Sequence, residues 1–385
     1  MTDAASRPLP LAGIRVLDLT TYIAGPFAAS LLADLGAEVV KVEPPGGDPI
    51  RGYPSTLPGE SRVFLGVNRG KRGVVLDLRR PEELAALLRL AERADVLLEN
   101  YRPGVAARLG LDSAALRAAN PGLVHLSLTG FGAGGPVAGR AGFDQVLQAM
   151  TGIAAFQARV TGAAPATVPG SVVDYYAAAL CALGAVAALY QRCGTGAGEA
   201  VRVSLLGAAM AMQAGRLVRG EGEPLAVDRD LSPGGVAGVH PTAEGWLYLQ
   251  ASTPRFWAAL CEGVGLPDLA CDPRYDSTRK RAERAADLLP PLRAALAART
   301  ATAWEALLSP AVPCAAVRPL EALFEDEQVA AEGLLATHPY PGGDYMALHG
   351  PIRFGDRAPA PPRGAPGLGD DVNDLLRDWG VLTPP

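Results

Sequence analysis

The first 130 residues switch repeatedly between two hydrophobic periods, and that alternation limits the fold more than any other feature. Short apolar runs at 14–20, 38–43, 74–78, 96–99 and 123–128 read as strands, with helical segments at 27–36 and 81–94 between them. These runs are too continuous for strands with one wet face, so the pattern predicts an α/β fold with a parallel sheet covered on both sides. In sheets of that class, ligands settle beyond the carboxyl ends of the strands. Pro81, followed by Glu82 and Glu83, marks a helix start whose charge suits the positive end of the dipole.

A chain of 385 residues is long enough for two domains. Residues 1–216 form the first: after the alternating region, 143–215 reads as mostly helical, broken near 160–170 and at a glycine-rich turn at 194–198. A polar, proline-containing linker covers 217–233. A smaller α+β domain follows at 234–320, with a strand at 246–250 and helices around 254–264, 278–298 and 302–308. Residues 321–385 are rich in Pro and Gly, with a short helix near 372–379.

Lys+Arg is 35 against Asp+Glu 40, a net charge of -5, which lacks the basic footprint of a nucleic-acid binder. Only three of the basic residues are lysine, and the arginine and alanine enrichment reads as that of a GC-rich genome. The five cysteines are scattered and never spaced C-x-x-C, so neither a disulfide framework nor a metal site is expected, and a cytoplasmic location fits. An acid and a proline precede any apolar run at the N-terminus, unlike a signal peptide. Between Asp174 and Arg192 lie 17 uncharged residues, at the lower limit for a bilayer span. They are Ala-rich and flanked by polar loops, so a core helix is expected and no membrane partner.

Gly130-Phe-Gly132-Ala-Gly134-Gly135 satisfies G-x-G-x-x-G after a strand, but Pro136, Gly139 and Gly142 keep the chain irregular where a dinucleotide site needs a helix. There is no phosphate-loop motif, no H-E-x-x-H and no G-x-S-x-G, and the four histidines never cluster. A Ser or Cys nucleophile therefore has no evident base, whereas a carboxylate needs none. Asp174 is the candidate, placed just before the uncharged helical run, where the dipole favours its charge. An N-cap role accounts equally well for that position. Basic residues near strand ends include Arg51, Arg69, Lys71, Arg72, Arg102, Arg108 and Arg140. The loops 68–72 and 100–104 suit a phosphate-bearing ligand.

Several segments together resemble the class III CoA-transferase family, which includes the carnitine and formate/oxalate CoA-transferases. They are the stretches 11–20, Ala24-Gly-Pro26 and 32–43, Asn68-Arg-Gly-Lys-Arg72, Glu99-Asn-Tyr-Arg-Pro-Gly104 and 141–152. Segments 187–192 and 196–205, Asp272-Pro-Arg-Tyr275, Trp304 and Val312-Pro313 follow in the same order.

The resemblance implies that Asp174 is the catalytic aspartate, and that Asn100, Tyr101, Arg108 and Arg140 contact CoA, joined by Lys71 and Arg72 of the basic loop. It implies a Rossmann-like large domain built from both chain ends, with a small domain inserted between them. An interlocked homodimer follows as well, acting on an acyl-CoA and a small carboxylic acid with no prosthetic group and no metal. A mobile glycine loop would fall at Gly234-Gly235. The same fold serves α-methylacyl-CoA racemases, but their proton-carrying histidine falls at Phe143, which cannot do that work. A CoA binder without turnover is the other alternative. Ile23 stands where some formyl-type enzymes carry Gln, and His240 and Glu244 stand where Tyr and Asp are frequent, so these positions leave the acids unassigned.

Overall fold

The computed structural model describes residues 7–225, 235–355, 357, 359–369 and 372–380. The expected strands form as β1 (Arg15–Asp18), β2 (Glu38–Glu43), β3 (Lys71–Val75), β4 (Val96–Glu99) and β5 (Val124–Thr129). A further strand, β6 (Ala200–Ser204), replaces part of the helical stretch expected at 143–215. All pair in parallel, in the order β3-β2-β1-β4-β5-β6. The helices of this region are α1 (Ala24–Asp34), α2 (Arg62–Asn68), α3 (Pro81–Ala91), α4 (Val105–Arg108), α5 (Ser113–Ala119), α6 (Asp144–Met150), α7 (Ile153–Thr161), α8 (Val172–Thr195) and α9 (Leu205–Ala211).

The strand periodicity explains the two layers. Val16, Val39, Val96 and Leu98 join one apolar cluster with α1, α8 and α9. Their neighbours Leu17, Val40 and Leu97 point the other way, into a cluster with α3, α5 and the C-terminal helix Val372–Asp378. Among the described helices, α8 is long and apolar enough to cross a membrane by length and composition. Its Val173, Ala177, Cys181, Ala185 and Leu189 instead pack into the first cluster, as in a core helix.

β3 begins three residues earlier than its apolar run, because Lys71 enters the sheet opposite Val39. Burial of that ammonium is offset by three acceptors: Asp18 Oδ2 at 2.7 Å, Pro26 O at 2.8 Å and Asn68 Oδ1 at 2.7 Å. Beside it, buried Lys41 donates to Thr20 O and Asp48 Oδ2, both at 2.9 Å. Arg51 bridges Glu43 and Glu60 at the end of β2. Burial works against the charge of Asp18, yet Lys71 and Lys41 hold its carboxyl below the usual range.

The chain divides into two units, Met1–Ala214 with Gln328–Pro385, and Gly215–Glu327. The C-terminal segment crosses β3 at Gly73, where a Cβ would lie 2.8 Å from both Gly367 O and Pro366 Cβ. The tail also holds an antiparallel hairpin, β10 (Leu335–Tyr340) with β11 (Gly343–Leu348), where only loops and a helix were expected. The second unit carries an antiparallel sheet of β7 (Gly238–Pro241), β8 (Trp246–Leu249) and β9 (Cys314–Ala316). Helices at Pro254–Gly263, Pro267–Cys271, Thr278–Glu283, Ala285–Leu296 and Ala301–Leu308 accompany it, with Trp257, Leu260, Leu292 and Trp304 in its core.

Removing one partner of a buried pair strands the other charge, so Lys71→Met is expected to cost about 3–5 kcal/mol in urea unfolding. Adding Asp18→Asn removes the stranded charge and is expected to recover part of that loss.

Candidate active site

The order of the strands reverses between β1 and β4, which opens a crevice at their carboxyl ends. Asn100, just past β4, spans that crevice: its Oδ1 accepts from Thr21 N at 3.0 Å and its Nδ2 donates to Thr21 O at 2.8 Å. The side-chain amide thus ties the two loops together. Tyr22 follows in a left-handed conformation (φ 68°), its N–H donating to Asp48 Oδ1 at 3.2 Å. Non-glycine residues pay for this region of φ/ψ space, and such strain collects at working sites.

Asp174 opens into this crevice. It lies inside the first turn of α8 rather than before it, and a cavity of about 90 Å³ touches it together with Thr21, Tyr22, Ile23, Asn100, Gly130, Phe143 and Leu205. α1 starts at this cavity, at Ile23 and Ala24, and no side chain caps its first N–H groups. Gly130 and Gly142 let two backbone segments touch beside the cavity, since a Cβ on Gly130 would meet Gly142 Cα at 2.7 Å. The Phe143 ring stands edge-on to Tyr22 at 5.5 Å.

The capping role open to Asp174 is filled by another residue. Asp144, at the start of α6, accepts from Val173 N at 2.6 Å and Asp174 N at 3.1 Å. Ser171, the residue before α8, is left-handed (φ 57°, ψ 47°) and makes no side-chain cap. The Asp174 carboxyl, without a cation beside it, is pushed up to about 7 by burial first and by the charge of Asp144 second.

Two more cavities adjoin the first. One of about 310 Å³ shares Thr21, Tyr22, Asn100 and Phe143 with it and adds Tyr101, Arg102 and Arg140. Another of about 490 Å³ shares Thr21 and Tyr101 with the second and is lined by Leu19, Val42, Leu76, Leu78 and Leu109, with Arg79 and Asp77. Asn100, Tyr101 and Arg140 therefore come together in one crevice with Asp174. Arg108 is exposed at the end of α4 and lines none of these three cavities.

Lys71 and Arg72 are not brought there. Lys71 is consumed by its buried ion pair, and Arg72 lies at the amino end of β3, paired with Glu38 at 3.0 Å and Asp378 at 2.9 Å. A basic loop before a strand faces the end of a parallel sheet opposite the ligand crevice. The sequence reading weighed Ile23 only for substrate choice and missed Leu205 and the role of Asp144, although Ala24-Gly-Pro26 and Gly142-Phe-Asp144 stood out as motifs. Gly235 is left-handed (φ 62°), and Gly234 lies outside the described residues.

The chain matches the profile of CoA-transferase family III over residues 11–372. The chain belongs to that family. A relative named "Probable fatty acyl-CoA transferase Rv3272", from Mycobacterium tuberculosis, is 38% identical, over 78% of this chain and 80% of the relative. The succinyl-CoA–D-citramalate CoA-transferase of Chloroflexus aurantiacus is 37% identical, over 73% and 71%. The orthorhombic crystal structure of Rv3272 superposes with a TM-score of 0.83 at 33% identity, over 94% of this chain and 98% of that one.

The site makes a pH-dependent demand on stability. Asp174 moves from an ordinary 3.8 to about 7 on folding, so stability is fully present below 3.8 and lost as pH rises toward 7. Replacing Asp174 with Asn removes that loss. The stability of the variant relative to the parent is expected to grow by up to about 4 kcal/mol between pH 4 and pH 8, read by thermal unfolding.

Proposed function

We propose that this family III CoA-transferase moves CoA from an acyl-CoA thioester to a free carboxylic acid through covalent intermediates on Asp174. The observation that carries the reading is a half-buried carboxyl, uncapped and without a cation, opening on a crevice lined by Asn100, Tyr101 and Arg140.

The ionised Asp174 oxygen attacks the acyl carbonyl carbon. The C–S bond breaks, CoA leaves as thiolate, and a mixed anhydride remains. The thiolate then attacks the Asp174 carbonyl carbon, releasing the donor as its carboxylate and leaving an aspartyl-CoA thioester. The acceptor carboxylate attacks that thioester, again expelling thiolate, which attacks the acceptor carbonyl of the new anhydride. A new acyl-CoA forms and the Asp174 carboxylate returns. One thioester replaces another, so no ATP is needed, and one hard substitution becomes several easier ones.

The tetrahedral oxyanions need fixed donors, and the uncapped start of α1 supplies N–H groups at Ile23 and Ala24. Arg102 and Arg140 suit the diphosphate, and the apolar cavity beside Tyr101 suits the adenine. Anhydrides hydrolyse, so water must be excluded during turnover. Racemisation is not favoured, because Phe143 carries no proton.

An interlocked homodimer belongs to the same reading. Tyr176, Leu183 and Tyr190 lie seven residues apart on α8, and Leu183 and Tyr190 are 65% and 82% exposed. An apolar stripe of that kind suits a partner surface. Sedimentation is expected to give twice the chain mass, and Leu183→Asp is expected to weaken the dimer; a monomeric parent would exclude it.

Asp174→Ala is expected to abolish transfer while the protein stays folded. With the parent protein, mass spectrometry after incubation with succinyl-, acetyl- and other acyl-CoAs against a panel of acids is expected to show a CoA adduct on the peptide containing Asp174. Retained turnover in the Ala variant would exclude this nucleophile, and binding without turnover of any pair would favour a CoA carrier.

A further inference from the structure

Asp144 and Gln148 take no part in the steps above, yet they form the most ordered polar assembly beside the nucleophile. Both are buried. Asp144 Oδ2 accepts from Val173 N and Asp174 N, and Oδ1 accepts from Gln148 Nε2 one turn further along α6. Gln148 in turn holds both backbone groups of Val168, donating to its carbonyl at 3.0 Å and accepting from its N–H at 2.7 Å. The loop before α8, the start of α6 and the first turn of α8 are thereby one unit. A neutral Ser or Asn at the cap position would satisfy the same helix N–H groups. The chain uses instead a charged carboxylate carried by another helix, and that carboxylate sits on the backbone of a second one.

We infer that Asp144 is a positioning residue that both fixes the first turn of α8 and uses its negative charge to favour the acylated states of Asp174 over the free carboxylate. The inference rests on Asp174 being the nucleophile. When Asp174 attacks the thioester, its oxygen bonds to the acyl carbon and the C–S electron pair leaves on sulfur. The negative charge moves from beside Asp144 to the thiolate. The aspartyl-CoA thioester that follows also leaves Asp174 uncharged, so each covalent stage relieves a repulsion that the resting carboxylate feels. The upward displacement of Asp174 toward about 7, to which Asp144 contributes after burial, reports the same preference with a proton in place of the acyl group. Among the described residues, Tyr22 from the loop after β1 lines the same cavity and Tyr175 on α8 feels the charge of both Asp174 and Arg69, while the causes of Asp174's own displacement are burial and Asp144.

Asp144→Asn removes the charge and keeps an oxygen for the helix N–H groups; Asp144→Ser repeats the test with a hydroxyl. In either variant the acid-limb midpoint of kcat/KM is expected to fall by about one pH unit, and the steady-state fraction of aspartyl-CoA adduct to fall by up to about tenfold. A cap alone would change thermal stability without moving that midpoint. A readout independent of turnover is the pH-dependent stability gain of Asp174→Asn, which is expected to shrink when Asp144 is already Asn. An unchanged midpoint together with an unchanged stability gain overturns the inference. A smaller stability gain in a protein whose Asp174→Ala form still turns over would retain the charge coupling and remove the nucleophile.

Discussion

Two buried ion pairs within the sheet anchor the turn that forms one wall of the crevice. Lys71 with Asp18, and Lys41 with Asp48, place four charges where a parallel sheet ordinarily keeps apolar side chains. Their cost is offset only because each ammonium also meets backbone or amide oxygens, Thr20 O for Lys41 and Pro26 O and Asn68 for Lys71. Thr20 O and Pro26 O lie at either end of the turn 20–26. The same assembly reaches the turn itself when Asp48 accepts from Tyr22 N. A loop that must hold a left-handed tyrosine and present the uncapped start of α1 is therefore anchored from beneath by charge, rather than by its own hydrogen bonds.

On the other side of the crevice, stability and chemistry oppose each other. α8 is held by a broad apolar face, which leaves its first turn free to carry an unfavourable arrangement: a left-handed serine, an imported cap and two carboxylates close together. The left-handed serine and the paired carboxylates lower stability, while the Asp144 cap and the packing of Ala177, Cys181 and Ala185 offset them. On the proposed reading, a carboxylate more comfortable in its free form would gain less from acylation. Rigid support behind a strained front is what covalent catalysis by a carboxylate asks of a fold.

Much of the sheet was legible in the sequence because β1, β2, β4 and β5 are buried on both faces and so read as continuous apolar runs. β3 was displaced by three residues because Lys71 looks polar while lying buried, and only its partners at positions 18 and 68 explain it. β6 was passed over although Val201 and Val203 alternate with Arg202, because it is an edge strand between two helices. Asp174 was singled out through the family pattern, since its local context also fits a cap. That the cap is Asp144 depends on a contact 30 residues away, beyond any local pattern. The basic segment 68–72 misled for a topological reason: it precedes a strand, and the crevice follows the strands.

Phe143, which lines the same cavity as Asp174, bears on the choice between the two chemistries known for this fold. Racemisation needs two groups that exchange a proton with carbon, on opposite sides of the thioester. Here one side offers Asp174, and Phe143 offers an aromatic ring set against Tyr22. A ring there cannot shuttle protons. The proposed acyl transfer needs only one carboxylate and N–H donors for the oxyanion, which on that reading the first turn of α8 and the start of α1 would supply. The absence of a proton carrier at Phe143 therefore supports the transferase reading independently of the role proposed for Asp174.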